Sequence, residues 1–286
     1  MSFFACKKGH VFFMCMKLLD LRKNLKKEFN QHDIDEVDVD FIISEVLGVK
    51  HTELILIDDV DYDAVAEIMG KVKLRLNNVP VDKIFKKSYF YGLDLVINDN
   101  VLSPRADSEI LVETAIKYIK ENQYSTVLDL CTGSGCLAIA VKKNVPDAEV
   151  SASDRYEKAL SLAKKNAKRN GADINFIKSN MFENVTEKYD VIISNPPYIA
   201  TDDLDELDEE VLRHDPHHAL DGGEMGLKYF NIIHENAKQH LNNGGMLILE
   251  MDSMQKMLIQ SLFTDFEFIE CVKDYNGLDR AVVFKK

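Results

Sequence analysis

The chain has 286 residues, of which 46% are hydrophobic and 29% are charged, and its formal net charge is −13. That length suits one large or two smaller domains, and the composition is that of a globular protein with a substantial core. The acidic balance argues against a protein whose main partner is a nucleic-acid backbone, because such a partner favours a basic surface. A basic protein substrate is compatible with it.

The cysteines and histidines bear on compartment and metal content. The five cysteines form no Cys-x-x-Cys pair and no even framework, so we expect reduced thiols and a cytoplasmic protein. His214, His217 and His218 lie close together in the sequence. Neither a cysteine nor a spaced set of carboxylates completes a site around them, so we expect no metal.

The apolar runs are short throughout. None approaches the roughly 18 to 20 residues that a membrane span needs, so no membrane association is expected. Residues 1–15 contain a brief apolar run without a small-residue cleavage site, which argues against a secretory signal. Because a regular pattern begins only at Met16, we predict that residues 1–15 form an extension with little structure.

Residues 16–86 predict a small helical domain. Apolar residues recur at helical spacing from Lys17 onward, and further helices are predicted over residues 40–48, 52–56 and 61–76. This segment contains no set of side chains suited to catalysis. Its expected role is therefore substrate recognition or simple packing.

Residues 87–106 predict a β-hairpin linker. Residues 88–97 are rich in β-formers that alternate around Gly92, and a turn follows at residues 98–100. An apolar helix is predicted over residues 110–119, with Asp107 or Ser108 as its cap. Arg105 lies just before this helix, where an exposed charge and a ligand contact are equally good interpretations.

From Ser125 onward, predicted strands and helices alternate. Such alternation predicts an α/β fold of the Rossmann-like type, a parallel or mixed sheet with helices on both faces, over residues 107–286. The predicted strands cover residues 126–130, 148–152, 174–178, 190–194, 246–251, 266–272 and 280–284. The predicted helices cover residues 136–144, 156–170, 227–240 and 253–263.

The first of these strands leads into a glycine-containing turn, Asp129-Leu130-Cys131-Thr132-Gly133-Ser134-Gly135. Two glycines between a buried strand and an apolar helix allow a tight turn and close approach of a ligand to the backbone. The helix amino terminus behind them favours electron-rich ligand groups. The spacing matches neither the dinucleotide-binding nor the P-loop pattern, so the turn indicates only a nucleoside-type ligand.

The next two strands also end in polar residues. Asp154 follows the glycines by roughly 20 residues, where a carboxylate can accept hydrogen bonds from both ribose hydroxyls. Asp154 can equally cap the following helix, and the two roles are compatible. Asn180 and Met181 end the third strand, where a polar and an apolar side chain can flank a purine ring.

The fourth strand ends in a proline corner, Asn195-Pro196-Pro197-Tyr198. Neither proline can donate a backbone hydrogen bond, and each keeps the preceding residue extended. Asn195 then offers a side-chain carbonyl and amide, and Pro196 offers its backbone carbonyl. Taken alone, the corner fits a simple turn as well as it fits a site. Four successive strand ends at one edge of a sheet make a ligand site the better interpretation.

In that order, these segments resemble the class I S-adenosylmethionine-dependent methyltransferases. In that setting Asn-Pro-Pro-Tyr is found where the methyl acceptor is a planar amino or amide nitrogen. Residues 101–109, 215–223 and 273–280 further resemble the HemK/PrmC family of protein-(glutamine-N5) methyltransferases. The resemblance covers essentially all of residues 16–286.

The resemblance implies transfer of a methyl group from S-adenosylmethionine to a glutamine of a Gly-Gly-Gln motif in peptide chain release factors. We expect a monomer, and because of the acidic net charge we expect no direct binding of nucleic acid. The implied catalytic residues are Asn195, Pro196 and Tyr198. The implied cofactor-binding residues are Asp129, Cys131, Thr132, Gly133, Ser134, Gly135, Asp154, Asn180, Met181 and Asn195. The implied substrate-binding residues are Arg105, Asn195, Pro196, Pro197 and Tyr198.

The chain departs from the family pattern at three positions. Cys131 stands where glycine is common, Asn180 where an acid is common, and Ala106 where proline is usual. Gly133 and Gly135 can still form the turn, so we expect cofactor binding to survive. Asn180 can still accept from an adenine amino group, although without a charge.

Two other functions are weighed against this one. A nucleic-acid N6-adenine methyltransferase shares the proline corner but must extract its base from a stack, and the acidic net charge argues against it. A non-catalytic binding protein on the same scaffold is the second, because fold alone never establishes function.

Overall fold

The computed structural model describes residues 4–8 and 11–286, with side chains from residue 14 onward. The chain divides into two compact units, Met1–Phe85 and Lys86–Lys286. None of the helices in the described part of the chain is both long and apolar enough to cross a membrane.

The smaller unit combines helices with a three-stranded antiparallel sheet of order β1-β2-β3. Its helices pack around a core of their own, because apolar residues such as Leu18, Leu25 and Phe29 share one face of the first helix. In chain order its elements are β1 (Phe4–Lys8), β2 (Val11–Lys17), α1 (Leu18–Gln31), α2 (Val37–Leu47), a 3₁₀ helix (His51–Leu56), β3 (Asp59–Asp61), α3 (Tyr62–Arg75) and α4 (Val81–Phe85).

The strands of the smaller unit correct two expectations. Residues 1–15 were expected to have little structure, yet Phe4–Lys8 and Val11–Lys17 pair as antiparallel strands. Residues 1–3, 9 and 10 lie outside the described residues. The second strand also pairs with Asp59–Asp61, more than forty positions along the chain, so no local pattern reveals the sheet. Cys15 is disulfide-bonded, which contradicts the expectation that all thiols are reduced.

The larger unit contains a seven-stranded sheet of order β11-β12-β10-β9-β6-β7-β8. Five neighbouring strands are parallel, namely β10, β9, β6, β7 and β8. Strand β12 is antiparallel to both of its neighbours, β11 and β10. The strands of the larger unit are β4 (Lys87–Phe90), β5 (Leu93–Val96), β6 (Thr126–Leu130), β7 (Glu149–Asp154), β8 (Asn175–Lys178), β9 (Tyr189–Ser194), β10 (Leu241–Glu250), β11 (Glu267–Lys273) and β12 (Asp279–Lys285). Its helices are α5 (Glu109–Asn122), α6 (Cys136–Asn144), α7 (Glu157–Asn170), α8 (Glu209–His214), α9 (Lys228–His240) and α10 (Lys256–Leu262).

Helices cover both faces of this sheet, which confirms the predicted α/β class. Side chains alternate along each strand, so Val191 and Ile193 enter one core and Ile192 enters the other. The first core is completed by α5, α6 and the hairpin β4–β5, and the second by α9 and α10. Every strand predicted after Ser125 is present, with bounds shifted by at most five residues.

The predicted hairpin is present, but its turn lies elsewhere. Lys87–Phe90 pairs with Leu93–Val96, so the chain reverses at Tyr91 and Gly92. Val101 is not in a strand; it is buried against Ala159 and Leu162 of α7. The hairpin also groups with the larger unit, whereas the sequence had suggested a separate linker.

The strand order places a crevice at the carboxyl ends of β6 and β9. From β6 the chain proceeds to β7 and β8 on one side, whereas β9 and β10 lie on the other. The two crossovers therefore run in opposite directions from this point, and the loops above it separate. Ligands of open α/β sheets bind in such a crevice.

Candidate active site

A cleft with about 970 Å³ of empty space, open to solvent, lies above the carboxyl ends of the parallel strands. It is lined by polar groups from several strand ends and by apolar side chains between them. Ten of the residues singled out in the sequence line it: Arg105, Cys131, Thr132, Gly133, Ser134, Asp154, Asn180, Met181, Asn195 and Pro197.

Asp154, at the end of β7, is hydrogen-bonded to the glycine turn. Its Oδ2 accepts a hydrogen bond from the Gly133 N–H (2.9 Å), and its Oδ1 accepts one from the Tyr156 N–H (2.8 Å). Burial raises the pKa of Asp154, and these two backbone donors oppose that rise. Each carboxylate oxygen keeps a second lone pair, so Asp154 can also accept hydrogen bonds from a ligand in the cleft.

Asp129 and Gly135, both expected to contact the cofactor, lie behind the cleft instead. Asp129 is fully buried and accepts hydrogen bonds from the Thr132 hydroxyl (2.5 Å) and the Ala138 N–H (3.1 Å). A Cβ added at Gly135 would lie 3.0 Å from the Cβ of Ala163 in α7. Asp129 therefore holds the shape of the turn, and Gly135 allows the turn to pack closely on α7.

Cys131 and Met181 have left-handed backbones, with φ of 65° and 50°. This region favours glycine, since other residues carry a steric penalty there. The glycine common at position 131 in the family thus corresponds to a backbone that is strained with cysteine. The Cys131 sulfur lies 3.7 Å from the Met181 sulfur, so the two side chains form one wall of the cleft.

Asn180 is oriented by a neighbour. Its Nδ2 donates to Glu183 Oε1 (2.7 Å). The side-chain carbonyl of Asn180 can accept a hydrogen bond from a ligand. The acceptor role that the sequence suggested for Asn180 stays a prediction.

The sequence missed an aromatic pair at the rim of the cleft. The rings of Tyr156 and His218 lie 4.0 Å apart between centroids, next to Asp154. Burial lowers the pKa of His218, so its ring is neutral near neutral pH. His218 belongs to the stretch 215–223 that carried the family resemblance, but the sequence was used there only to argue against a metal site.

The proline corner separates this cleft from a second pocket, with about 560 Å³ of empty space. Asn195 lines both, Pro197 lines the cleft, and Pro196 and Tyr198 line the second pocket. Burial and the nearby carboxylate of Glu250 raise the pKa of Tyr198, which keeps its hydroxyl protonated. That hydroxyl donates to Glu250 Oε1 (3.3 Å).

The backbone of the corner is held from outside by the loop before α9. The Ile199 N–H donates to the Leu220 carbonyl (3.1 Å), and the Gly222 N–H donates to the Ile199 carbonyl (2.7 Å). Gln255 Nε2 donates to the Tyr198 carbonyl (2.8 Å). A Cβ added at Gly226 would overlap that same carbonyl oxygen, so only glycine fits there.

Arg105 lies at the rim that the two pockets share. Its guanidinium donates to Asp215 Oδ2 (2.8 Å), and the Asp215 side chain is 4% exposed. The ion pair joins the segment before α5 to the loop that follows α8. It fixes Arg105 where a ligand spanning both pockets would pass.

The chain is similar to known methyltransferases in sequence and in fold. A family model for the methyltransferase small domain matches residues 106–228. A crystal structure of a methyltransferase from Pyrococcus furiosus has a TM-score of 0.50 to this chain at 21% identity, and the match covers 68% of this chain and 89% of that one. Sheet order, crevice and glycine turn together define a class I S-adenosylmethionine-dependent methyltransferase.

Sequence relatives narrow the class. The release factor glutamine methyltransferase of Agrobacterium fabrum is 37% identical over 260 residues, which cover 87% of this chain and 90% of the relative. The protein of the same name from Thermodesulfovibrio yellowstonii is 35% identical over 280 residues, which cover 95% of this chain and 99% of the relative. The chain belongs to the release factor glutamine methyltransferase family, as the sequence motifs had indicated.

Proposed function

We propose that this protein transfers a methyl group from S-adenosylmethionine to the N5 amide nitrogen of a glutamine, within a Gly-Gly-Gln motif, in peptide chain release factors. One observation carries the proposal: the proline corner stands between two adjoining pockets, with Asn195 lining both. Such a wall allows a methyl donor on one side to meet a flat acceptor on the other. Family membership supports the choice of acceptor.

The residues of the cleft fit S-adenosylmethionine. Asp154 offers carboxylate oxygens for the ribose hydroxyls, and the Asn180 carbonyl suits the adenine amino group. A Cβ at Gly133 would meet nothing within 4 Å, so the backbone there is open to a ligand. Ser153 is another lining residue, and its buried hydroxyl has no hydrogen-bond partner within the described part of the chain. When bound, the cofactor supplies an electrophilic methyl group, and the protein supplies position and electrostatics.

Asn195 and Pro196 orient the acceptor in this proposal. An amide nitrogen is a poor nucleophile because its lone pair is delocalised into the carbonyl. The side-chain oxygen of Asn195 and the backbone carbonyl of Pro196 accept its two N–H groups, which aims the nitrogen and stabilises the positive charge that develops on it. Tyr198 packs on the amide plane. No strong base is required, because the methylated nitrogen loses its proton readily.

Arg105 and the smaller unit have roles in substrate binding in this proposal. Arg105, held by Asp215 at the shared rim, contacts the backbone that flanks the glutamine. The smaller unit, residues 1–85, contributes to recognition of the protein substrate. We place the protein in the cytoplasm, since translation factors act there, and expect it to be a monomer.

Mass spectrometry of an unmethylated release factor, incubated with the protein and S-adenosylmethionine, tests the proposed function. We expect a gain of about 14 Da on one glutamine, because a methyl group replaces a hydrogen. Asn195→Ala should abolish that gain, while calorimetry shows cofactor affinity within about threefold of the wild type.

The same experiment distinguishes the alternative. Methylation of adenine in DNA or RNA, without methylation of the release factor, would overturn the proposal. The family relationship does not favour that outcome, and the net charge of −13 opposes binding to a phosphate backbone.

A further inference from the structure

Ser108 makes a hydrogen bond that its place in the chain does not explain. It occupies the N-cap of α5, where a serine side chain ordinarily accepts from a backbone N–H of the first turn. No such side-chain cap is formed. Its Oγ instead accepts a hydrogen bond from Asn195 Nδ2 (3.2 Å), 87 residues along the chain. Ser108 is only 3% exposed, so water does not replace this contact.

Glu250 lies close to this contact. Its carboxyl is 2% exposed, and its Oε1 accepts a hydrogen bond from the Tyr198 hydroxyl (3.3 Å). Burial raises the pKa of Glu250 to about 7, and the neighbouring Ser108 hydroxyl opposes that rise.

The contact with Ser108 fixes the amide of Asn195. Because Ser108 Oγ accepts from Nδ2, Asn195 presents its NH₂ group to Ser108. The carbonyl oxygen of Asn195 is thereby turned away from Ser108, toward the pockets that this residue lines. If the Asn195 amide were reversed, its NH₂ group would face the N–H groups of the substrate amide across the acceptor pocket, and no hydrogen bond could form between these donors.

The surroundings keep Ser108 in place. Asp107, its neighbour, lies 3.5 Å from the guanidinium of Arg280. Arg280 also donates to Asp274 (3.1 Å), whose side chain is buried. The start of α5 is therefore anchored to the start of β12, within reach of Glu250 at the end of β10.

We propose that Ser108 is a positioning residue for methyl transfer: it orients the Asn195 amide so that its carbonyl oxygen accepts from the substrate nitrogen. This inference rests on the proposed function. It adds a contact, Ser108–Asn195, that selects one of two amide orientations before the substrate arrives. Preorganisation of this kind lowers the barrier to reaction without strengthening ground-state binding.

Release-factor methylation at saturating S-adenosylmethionine tests the role of Ser108. For Ser108→Ala we expect kcat to fall about tenfold, equivalent to about 1.4 kcal/mol, with the cofactor Kd unchanged. Ser108→Thr keeps the hydroxyl and should restore kcat to within about threefold of the wild type. Ser103→Ala is the matched control, because Ser103 is also buried but its Oγ has no hydrogen-bond partner among the described side chains.

Three results would overturn the inference. They are an unchanged kcat in Ser108→Ala, a kcat in Ser108→Thr no higher than in Ser108→Ala, and a fall in kcat accompanied by an equally large rise in the cofactor Kd. Ser108→Gly provides a second test if Ser108→Ala does not fold, because glycine is tolerated at an N-cap and also lacks the hydroxyl, and here kcat should fall at least about threefold. A full rate in Ser108→Gly would overturn the inference. Wild-type protein that fails to methylate any release factor would instead refute the proposed function itself.

Discussion

At the scale of single residues, the left-handed backbone at Cys131 restricts which residue types fit that position. Its φ of 65° is unfavourable for any side chain with a Cβ. We expect Cys131→Gly to be more stable than Cys131→Ala by about 1 kcal/mol. On an ordinary backbone the order is reversed, with alanine ahead of glycine by about 0.5–1 kcal/mol. Both variants lose the sulfur, so their difference reports the backbone alone.

Urea unfolding of the two Cys131 variants measures this difference. Cofactor affinity measured on the same samples shows whether the cysteine side chain contributes to binding. Equal stabilities, or a more stable alanine variant, would show that the left-handed conformation at Cys131 carries no penalty in solution.

At the scale of elements, the proline corner depends on the loop that packs behind it. Gly226 and Gly277 both have positive φ, of 69° and 82°. A Cβ at Gly277 meets nothing within 4 Å, whereas one at Gly226 overlaps the Tyr198 carbonyl oxygen and the Gln255 amide. Gly277→Ala should therefore lose only about 1 kcal/mol of stability. Gly226→Ala should lose about 3 kcal/mol or more, because overpacking adds to the backbone penalty.

Activity measurements complete the comparison of the two glycines. Where Gly226→Ala still folds, we expect its methyl-transfer rate to fall at least about tenfold, since the displaced Tyr198 backbone moves the acceptor wall. Gly277→Ala should keep the wild-type rate. Equal losses of activity in the two variants would mean that the loop does not support the corner.

At the scale of the whole molecule, buried carboxyls make stability depend on pH. Burial raises the pKa of Glu250 from 4.5 to about 7, although Arg280, Ser108 and Tyr198 oppose it. Between those values the unfolded chain has lost this proton and the folded protein still holds it. Its contribution to stability is therefore complete below about 4.5, declines as pH rises, and is gone above about 7.

Glu250→Gln removes that dependence. The stability of the variant relative to the wild type should increase between pH 4.5 and pH 7 by up to about 1.4 kcal/mol per pH unit, then level off. Thermal or urea unfolding at several pH values checks this. Asp129, whose pKa burial also raises to about 7, is retained in both proteins, so its effect cancels. A constant difference across this range would show that the Glu250 pKa is not raised.

Much of the larger unit could be predicted from the sequence because its signals are local. Strand Thr126–Leu130 and helix Cys136–Asn144 have the predicted bounds, since a continuous apolar run, two glycines and a helical period adjoin along the chain. Asp154, Asn180 and Asn195 could be predicted as neighbours because parallel strands end at one edge. The sheet in residues 4–61 could not, because its strands are short and β3 pairs from far along the chain.

The sequence by itself determined the α/β class, the glycine turn, the proline corner and the family. Each depends on residue types at short spacing. Only the tertiary structure decided how the site is supported. In the structure, Asp129 lies behind the turn and His218 packs on Tyr156. Ser108 accepts a hydrogen bond from Asn195 and does not cap its own helix. Those contacts join segments far apart in the chain, and a hydrogen bond depends on distance and direction in space rather than on order in the sequence.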